Sequence, residues 1–436
     1  MPATIIYNLF PLLVGPINRW HGHLKRIAAL GCTWIYLNPI HTTGLSGSLY
    51  AVKDYFGIDP RFHPEDGSDP QEALEGFVAA AREHGLRVML DLVINHTAID
   101  APLVQEHPEW YAKNPDGSIK NPGCIDPADA TRVTIWGDLA ELAYWPVPDP
   151  EGLLHFWDQV LSHYLRLGFA GFRADAAYKI PGWFWQRLIS EAKSLAPEVQ
   201  FFAETLGCRI EECTQLAEAG FDFIYNSSKW WDFQAPWCLE QYELFRHVAP
   251  SVSFPETHDT PRLSAESGGN PAVAKQRYLF AAYFSTGLML PIGYEFGFQK
   301  HLHVVHTRPE DWEEPTYDLT EFITRTHAMK AACPVLLTEG PQVRLTPPGE
   351  APVLLLKSQD QGPGRVLAII QPGPEVAEIP AFPEAAGGSP REWRELTPLR
   401  DQAPWPAAGP LRLDPYDIRL FFHPALPPLP PPEMAP

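Results

Sequence analysis

Four short segments end in residues suited to acid–base and nucleophilic chemistry. Asp91-Leu-Val-Ile-Asn95-His96 closes one apolar run, and Gly171-Phe-Arg173-Ala-Asp175 closes a second. Phe201-Phe-Ala-Glu204 closes a third, and a fourth run leads into Glu256-Thr-His258-Asp259. Arg173 and Asp175 are two residues apart, so on a strand their side chains share a face. Three carboxylates, Asp175, Glu204 and Asp259, therefore stand at the ends of different runs. Carboxyl groups gathered at one place titrate apart: one stays ionised and another keeps its proton. A structural ion pair between Arg173 and Asp175 is the plainer alternative, and the agreement of the other segments weighs against it.

The elements that must hold these residues follow a regular order. Apolar runs at Ile5–Phe10, Trp34–Leu37, Arg87–Leu92, Gly171–Asp175, Gln200–Ala203, Phe223–Tyr225, Ser251–Phe254 and Leu288–Pro291 read as strands covered on both faces. Helical periodicity lies between them. Leu74, Phe77, Val78 and Ala81 form one stripe ahead of Gly85, and Leu153, Phe156, Trp157, Val160, Tyr164 and Leu167 form another ahead of Gly168. Eight such alternations predict a (β/α)8 TIM barrel over residues 1–335, in preference to a doubly wound sheet. The connection after the third strand is too long for a simple loop, so residues 97–148 are expected to form an inserted subdomain. It leaves the strand ends where barrel active sites lie. Beyond Pro334, short strands at Val343–Leu345, Val353–Lys357, Arg365–Ile370 and Ile418–Phe422 predict a C-terminal antiparallel β-sandwich over 336–424. Residues 425–436 read as a loose Pro-rich tail.

Composition narrows the partners. The 436 residues carry 53 Asp+Glu against 33 Lys+Arg, a formal net charge of −20. Such a balance, without any Lys/Arg cluster, argues against nucleic acid and anionic membranes as partners. No segment is long enough to span a membrane. The apolar stretch Ile5–Val14 lacks a preceding basic residue and is broken by Pro11 and Gly15, so it reads as the first strand and not a leader. The six cysteines form no C-x-x-C pair, which leaves zinc-ribbon and thioredoxin-type chemistry aside and suits reduced thiols in a cytoplasmic protein.

The four segments, in this order, resemble the motifs of glycoside hydrolase family 13, the α-amylase family. Tyr50, ahead of Asp54-Tyr55, matches the family's tyrosine at the cleavage subsite, and Gly137-Asp-Leu-Ala-Glu-Leu resembles a weaker motif closing the inserted domain. The resemblance covers nearly the whole chain. It implies acetal cleavage with retention, which needs two carboxyl groups about 5–5.5 Å apart. By resemblance Asp175 is the nucleophile, Glu204 the general acid and then base, and Asp259 the carboxylate that grips the distorting sugar ring. Arg173 keeps Asp175 ionised, Asp91 holds Arg173, His96 and His258 bond sugar hydroxyls, and Tyr50 lies under the ring. The resemblance implies hydrolysis of α-1,4-glucosidic bonds in maltooligosaccharides or α-glucans. The alternative is a transglycosylase, a glucanotransferase or maltosyltransferase that takes a sugar 1-phosphate donor. A non-catalytic carbohydrate-binding barrel is a remoter reading, since it would be expected to lack one of the carboxylates.

The chain departs from the family after the nucleophile. Tyr178 and Lys179 stand where a Lys-His pair is usual, on the side that contacts the acceptor or leaving-group sugar. Ala176 resembles enzymes acting on α-1,4 bonds. Lys179, Lys229 and Arg262 are expected near the mouth, either to accept a donor phosphate or to pair with carboxylates. His301-Leu-His303-Val-Val-His306 has metal-like spacing but no acidic partner, so outer substrate subsites are the better reading. Asn95 matches a calcium-binding position in many α-amylases, without clear partner ligands in the insertion. Trp230, Trp231 and Trp237 are candidate sugar platforms, of which at least two are expected to be packing residues. No organic cofactor is implied.

Overall fold

The computed structural model describes residues 3–126, 129–406 and 409–429. Eight parallel strands close into a barrel: β1 (Ile5–Asn8), β2 (Trp34–Leu37), β3 (Arg87–Leu92), β4 (Gly171–Ala174), β5 (Gln200–Ala203), β6 (Phe223–Tyr225), β7 (Ser251–Ser253) and β8 (Gly287–Pro291). Each strand is followed by a helix: α1 (Ile17–Ala29), α2 (Pro70–Glu83), α3 (Pro150–Arg166), α4 (Gly182–Leu195), α5 (Ile210–Thr214), α6 (Trp237–Phe245), α7 (Pro271–Phe284) and α8 (Thr320–Ala332). The architecture is the TIM barrel expected from the alternation.

Two-residue periodicity splits each strand between two environments. Ile35, Leu37, Val88, Leu90, Phe172, Phe201 and Leu288 face outward into one large apolar cluster with the helices. Ile6, Trp34, Tyr36, Met89, Phe202, Tyr225, Val252 and Met289 fill the barrel interior. The helices form for local reasons. Asp69 caps α2 by accepting from the Gln71 and Glu72 amides, and Leu74, Phe77, Val78 and Ala81 are its buried face. Asp149 caps α3 by accepting from the Gly152 amide, and Leu153, Trp157, Val160 and Tyr164 are buried along it.

The segment after β3 has structure of its own. His96–Ala98 pairs antiparallel with Leu139–Glu141, and Gly123–Asp126 pairs with Asp129–Ile135. A hairpin of His41–Thr43 with Val52–Ile58, unseen in the sequence, follows β2 and carries Tyr50 in its turn. Beyond the barrel lie β9 (Gln342–Arg344), β10 (Val353–Ser358), β11 (Arg365–Ile370), β12 (Ala377–Ile379), β13 (Arg394–Glu395), β14 (Leu411–Leu413) and β15 (Ile418–His423). They form an antiparallel sheet in the order β9-β10-β11-β15-β13 with a separate β12–β14 pair. Val353, Leu355, Ala368, Ile370 and Leu420 pack toward the barrel, while Leu354, Leu356, Leu367, Ile369 and Phe421 meet Trp393 and Trp405 on the other face.

The start of the tail differs from the loose segment expected. The Pro427 carbonyl accepts from Arg365 Nε at 2.8 Å, and the Leu429 amide donates to Ser358 Oγ at 2.9 Å. Its proline run supplies carbonyl acceptors that β10 and β11 can reach. Residues 430–436 lie outside the described part. Among the described residues no helix is long and apolar enough to cross a membrane.

The glycine that opens the second motif has a packing reason. A Cβ on Gly171 would stand 2.7 Å from the Gln200 carbonyl oxygen and 3.1 Å from the Trp34 indole, which occupies the space inside the barrel. Gly171 thus lets β4 lie close to β5 while Trp34 plugs the floor beneath Arg173. Gly171→Ala is expected to overpack this layer and destabilise the protein by about 1–3 kcal/mol. Thermal unfolding measures it, and an unchanged midpoint would show that the layer has room to spare.

Candidate active site

The polar residues of the four segments form the layer above the apolar plug. Arg173 and Asp91 lie directly across from one another on β4 and β3. Arg173 Nη1 donates to Asp91 Oδ1 at 2.9 Å and Oδ2 at 3.0 Å, and to Asp175 Oδ1 at 2.7 Å. Its Nη2 lies 4.0 Å from Glu204 Oε2. One buried guanidinium therefore touches or neighbours all three acids. A carboxylate beside a fixed guanidinium is held in its charged form and in one orientation. Asn95 adds a longer contact, with Nδ2 3.4 Å from both Asp175 Oδ2 and the Asp175 carbonyl.

Glu204 is placed by backbone donors. The Ala176 amide donates to Oε2 at 2.8 Å, and the Leu206 amide donates to Oε1. Ala176 achieves this from a left-handed conformation, φ 41° and ψ 49°. Such a backbone costs a residue with a Cβ about 1–2 kcal/mol. The strain falls on the residue that directly follows Asp175 and contacts Glu204, which couples the two acids through one peptide unit. Burial pushes the Glu204 carboxyl up to about 7, Arg173 opposes the rise, and the Asp175 charge adds to it. Glu204 thus holds a proton near neutrality, as an acid catalyst must.

His258 and Tyr50 complete the wall. The Tyr50 hydroxyl donates to Asp91 Oδ2 at 2.6 Å and lies 2.7 Å from His258 Nε2. Its single proton is committed to Asp91, so His258 must donate from Nε2. Its Nδ1 is then bare, and that atom is buried without a partner. Burial, and next the charge of Arg173, push His258 down to about 3, so the ring is neutral. The Tyr50 and His258 rings stack at 5.6 Å with 10° between their planes.

Asp259 Oδ2 lies 3.1 Å from His258 Nε2, and 54% of its side chain faces the water-filled mouth. Partial burial raises the Asp259 carboxyl, with Arg173 opposing and Asp175 adding. The contact with water moderates the rise. The loop bearing Asp259 is pinned by a buried pair: Arg262 Nη1 donates to Glu256 Oε1 at 2.8 Å, and Nη2 donates to the Ile292 carbonyl beyond β8 at 2.6 Å. Arg262 is therefore an internal clamp and not a residue of the mouth.

The other candidates take the following places. Asp91 is wholly buried and accepts from Arg173, Tyr36 and Tyr50, so it reaches substrate only through them. His96 Nε2 donates to the Tyr50 carbonyl at 3.0 Å, which turns that atom toward the protein. Lys179 is exposed; its Nζ donates to the Gly123 carbonyl at 3.1 Å. Lys229 pairs with Glu266 at 3.2 Å. Trp231 is fully buried and Trp237 packs against the core, whereas Trp230 is 51% exposed beside Phe254. His303 Nδ1 accepts from the Val305 and His306 amides, and its ring stacks on His306 at 4.4 Å, so the three histidines do not converge. Among the described residues no group of three or more His, Cys, Asp or Glu side chains is placed to hold a metal.

Tyr36 and Asn38 were missed. Tyr36 donates to Asp91 Oδ2 at 2.6 Å, and Asn38 Nδ2 donates to the Tyr50 hydroxyl at 3.1 Å. The signal available was position: Tyr36 and Asn38 alternate inward at the end of β2 as Asp91 does on β3.

Residues 2–115 match the family described as "Glycogen debranching enzyme, glucanotransferase domain". An alpha-1,4-glucan:maltose-1-phosphate maltosyltransferase of Burkholderia pseudomallei is 28% identical over 376 residues, 81% of this chain and 31% of that one. The first such enzyme of Streptomyces coelicolor is 26% identical over 94% of this chain and 65% of its own. The chain spans less than two thirds of the length of these relatives. The motif order of the α-amylase family, glycoside hydrolase family 13, is thus matched by relatives and folds of that kind. Its barrel and C-terminal sheet share their fold with an alpha-amylase from Lactobacillus plantarum, at TM-score 0.73 and 23% identity over 96% of this chain and 98% of that one.

Two outcomes follow from the wall and the acid. Tyr50→Phe removes the acceptor of His258 and a donor to Asp91. A lost buried hydrogen bond of this kind costs about 1–3 kcal/mol, so kcat/KM for any glycosyl donor should fall about 10- to 100-fold. A variant as active as wild type would mean that the phenol is idle. If Glu204 is the acid that the resemblance implies, then with its carboxyl raised to about 7 kcat/KM should decline as pH rises through about 7 and not near the ordinary carboxylate range. A pH profile of the wild type, set beside Glu204→Gln, checks the assignment.

Proposed function

We propose that the chain is a retaining α-glycan transferase. It takes a maltosyl or similar α-linked unit from a donor onto Asp175 and passes it to a hydroxyl of an α-1,4-glucan. The reading rests on two observations: the similarity to maltose-1-phosphate maltosyltransferases runs over 81% and 94% of this chain, and Asp91, Asp175 and Glu204 lie around Arg173.

The chain's residues divide the work as follows. Asp175, ionised beside Arg173, attacks the anomeric carbon, and the bond to the leaving oxygen breaks. Glu204 gives its proton to that oxygen where the leaving group needs one. A sugar hydroxyl then approaches from the same side, Glu204 takes its proton, and the ester bond to Asp175 opens with its electron pair returning to the carboxylate. Asp259 and His258 grip the ring, and their hold matters most as positive charge develops at the anomeric carbon. These steps call for no organic cofactor. Hydrolysis of α-1,4 bonds, the simpler expectation from the motifs, uses the same intermediate with water as acceptor.

Chromatography of products separates the two. Maltopentaose, and maltose 1-phosphate with an added glucan acceptor, are expected to give longer and shorter chains. Release of reducing sugar alone, with no redistribution of chain length, would identify a hydrolase. Asp175→Ala should lose both activities by roughly 10^4-fold or more; activity surviving at wild-type level would remove the covalent route.

A further inference from the structure

Four basic side chains at or beyond the strand ends differ in what balances their charge. Arg173 lies between Asp91 and Asp175, Arg262 is paired with Glu256, and Lys229 is paired with Glu266. Lys179 forms no ion pair within 4.0 Å among the described side chains, and its charge acts at longer range on the Glu212 carboxyl, which it helps to lower. Its Nζ donates to the Gly123 carbonyl at 3.1 Å and lies 5.6 Å from the centre of the Trp136 ring. A carbonyl dipole and an aromatic face hold an ammonium in place without cancelling its charge. Two of its three N–H donors are left over.

Its position gives that charge a use. Lys179 ends the short turn Ala177–Lys179 that follows the nucleophile and begins beside Ala176, the residue whose amide holds Glu204. Tyr178, next to it, lies in the field of Glu204 and Asp175. The leaving oxygen must be near Glu204, since Glu204 is the acid that protonates it. Lys179 therefore borders the leaving-group side. The base of the Gly123–Ile135 hairpin fixes it there, with the Trp136 amide donating to the Pro122 carbonyl at 3.0 Å.

We infer that Lys179 holds an anionic leaving group, a phosphate ester on the anomeric oxygen of the donor sugar. The inference rests on the transfer reading and adds the residue that recognises the donor. In the step, the bond between the anomeric carbon and the phosphate oxygen breaks with its pair going to the phosphate. The Asp175 ester forms, and inorganic phosphate departs with the proton from Glu204. Lys179 offsets the charge that grows on the departing oxygen. It is a residue of donor specificity: a donor with a neutral sugar as leaving group gains nothing from it.

The test compares two donors in the full chain. For wild type, Lys179→Met and Lys179→Arg, kcat/KM is measured with maltose 1-phosphate and with maltopentaose, and the ratio of the two is taken. Lys179→Met is expected to lower the ratio about 10- to 100-fold, and Lys179→Arg to restore most of it. A purely structural latch would depress both donors together and leave the ratio where it was, which overturns the inference while the transfer reading stands. Wild type that redistributes maltopentaose but ignores maltose 1-phosphate overturns the inference and the phosphorylated donor, again leaving transfer. Should Lys179→Met fail to fold, by its thermal unfolding, the binding of maltose 1-phosphate against maltose to Asp175→Ala decides. Equal affinity for the two ligands overturns the inference, and tighter binding of the phosphate that weakens with salt supports it.

Discussion

The site depends on one buried guanidinium. Without Arg173, the carboxyl groups of Asp91, Asp175 and Glu204 would face one another above an apolar plug. Like charges so placed cannot all remain ionised, and burial alone would protonate more than one of them. Arg173 sorts them. Its short contacts go to Asp91 and Asp175, while Glu204 lies at 4.0 Å and accepts from two backbone amides. The result is a difference in partners: Asp91 and Asp175 are ion-paired with the guanidinium, whereas Glu204 is held chiefly by backbone amides, and burial raises both Asp91 and Glu204. Removing either partner of such a buried pair costs several kcal/mol because a charge is left without compensation, so the arrangement tolerates little drift.

The rest of the barrel can be understood as what that guanidinium requires. Its side chain needs a floor, which Trp34 supplies, and Trp34 needs the space that Gly171 leaves open. Asp91 needs a third and fourth donor to be satisfied without water, and Tyr36 and Tyr50 supply them. Tyr50 in turn fixes the proton of His258, and His258 lies against Asp259. A single line of contacts thus runs from β4 through β3 and the hairpin after β2 to the loop after β7. It joins parts of the chain more than 200 residues apart, as the Tyr50–His258 bond itself does across 208 positions. Networks of this type hold geometry well when every member is satisfied.

Much of this was legible in the sequence, and the reason is periodicity. The eight strands are short apolar runs, and a polar residue that ends such a run can only lie at the rim, so Asp91, Arg173, Asp175 and Glu204 announced their places. What did not announce itself lies off that pattern. Tyr36 is an aromatic inside an apolar run and looks like packing until its hydroxyl is seen against Asp91. Arg262 carries a charge that suggests the surface, yet it is buried, because Glu256 lies six residues earlier on the same loop and the Ile292 carbonyl across it. Ion pairing across a loop leaves no period to read. The start of the tail was misread for a related reason: proline-rich composition implies an extended chain but says nothing of whether neighbouring side chains, here Arg365 and Ser358, can reach its backbone.

The same contrast separates the two sides of the mouth. On the side of Asp259, Lys229 and Arg262 each have a carboxylate partner and the loop is clamped from within. On the side of Glu204, the turn after Asp175 is strained at Ala176 and ends in Lys179, held by a carbonyl and a ring with no short ion pair among the described side chains. The first arrangement suits a sugar that must be gripped in one pose whatever the donor. The second leaves a charge unspent next to the bond that breaks, and an unspent charge discriminates between leaving groups in a way that a paired one cannot. A change in the few residues of that turn would therefore act on the leaving-group side while leaving the carboxylates as they are.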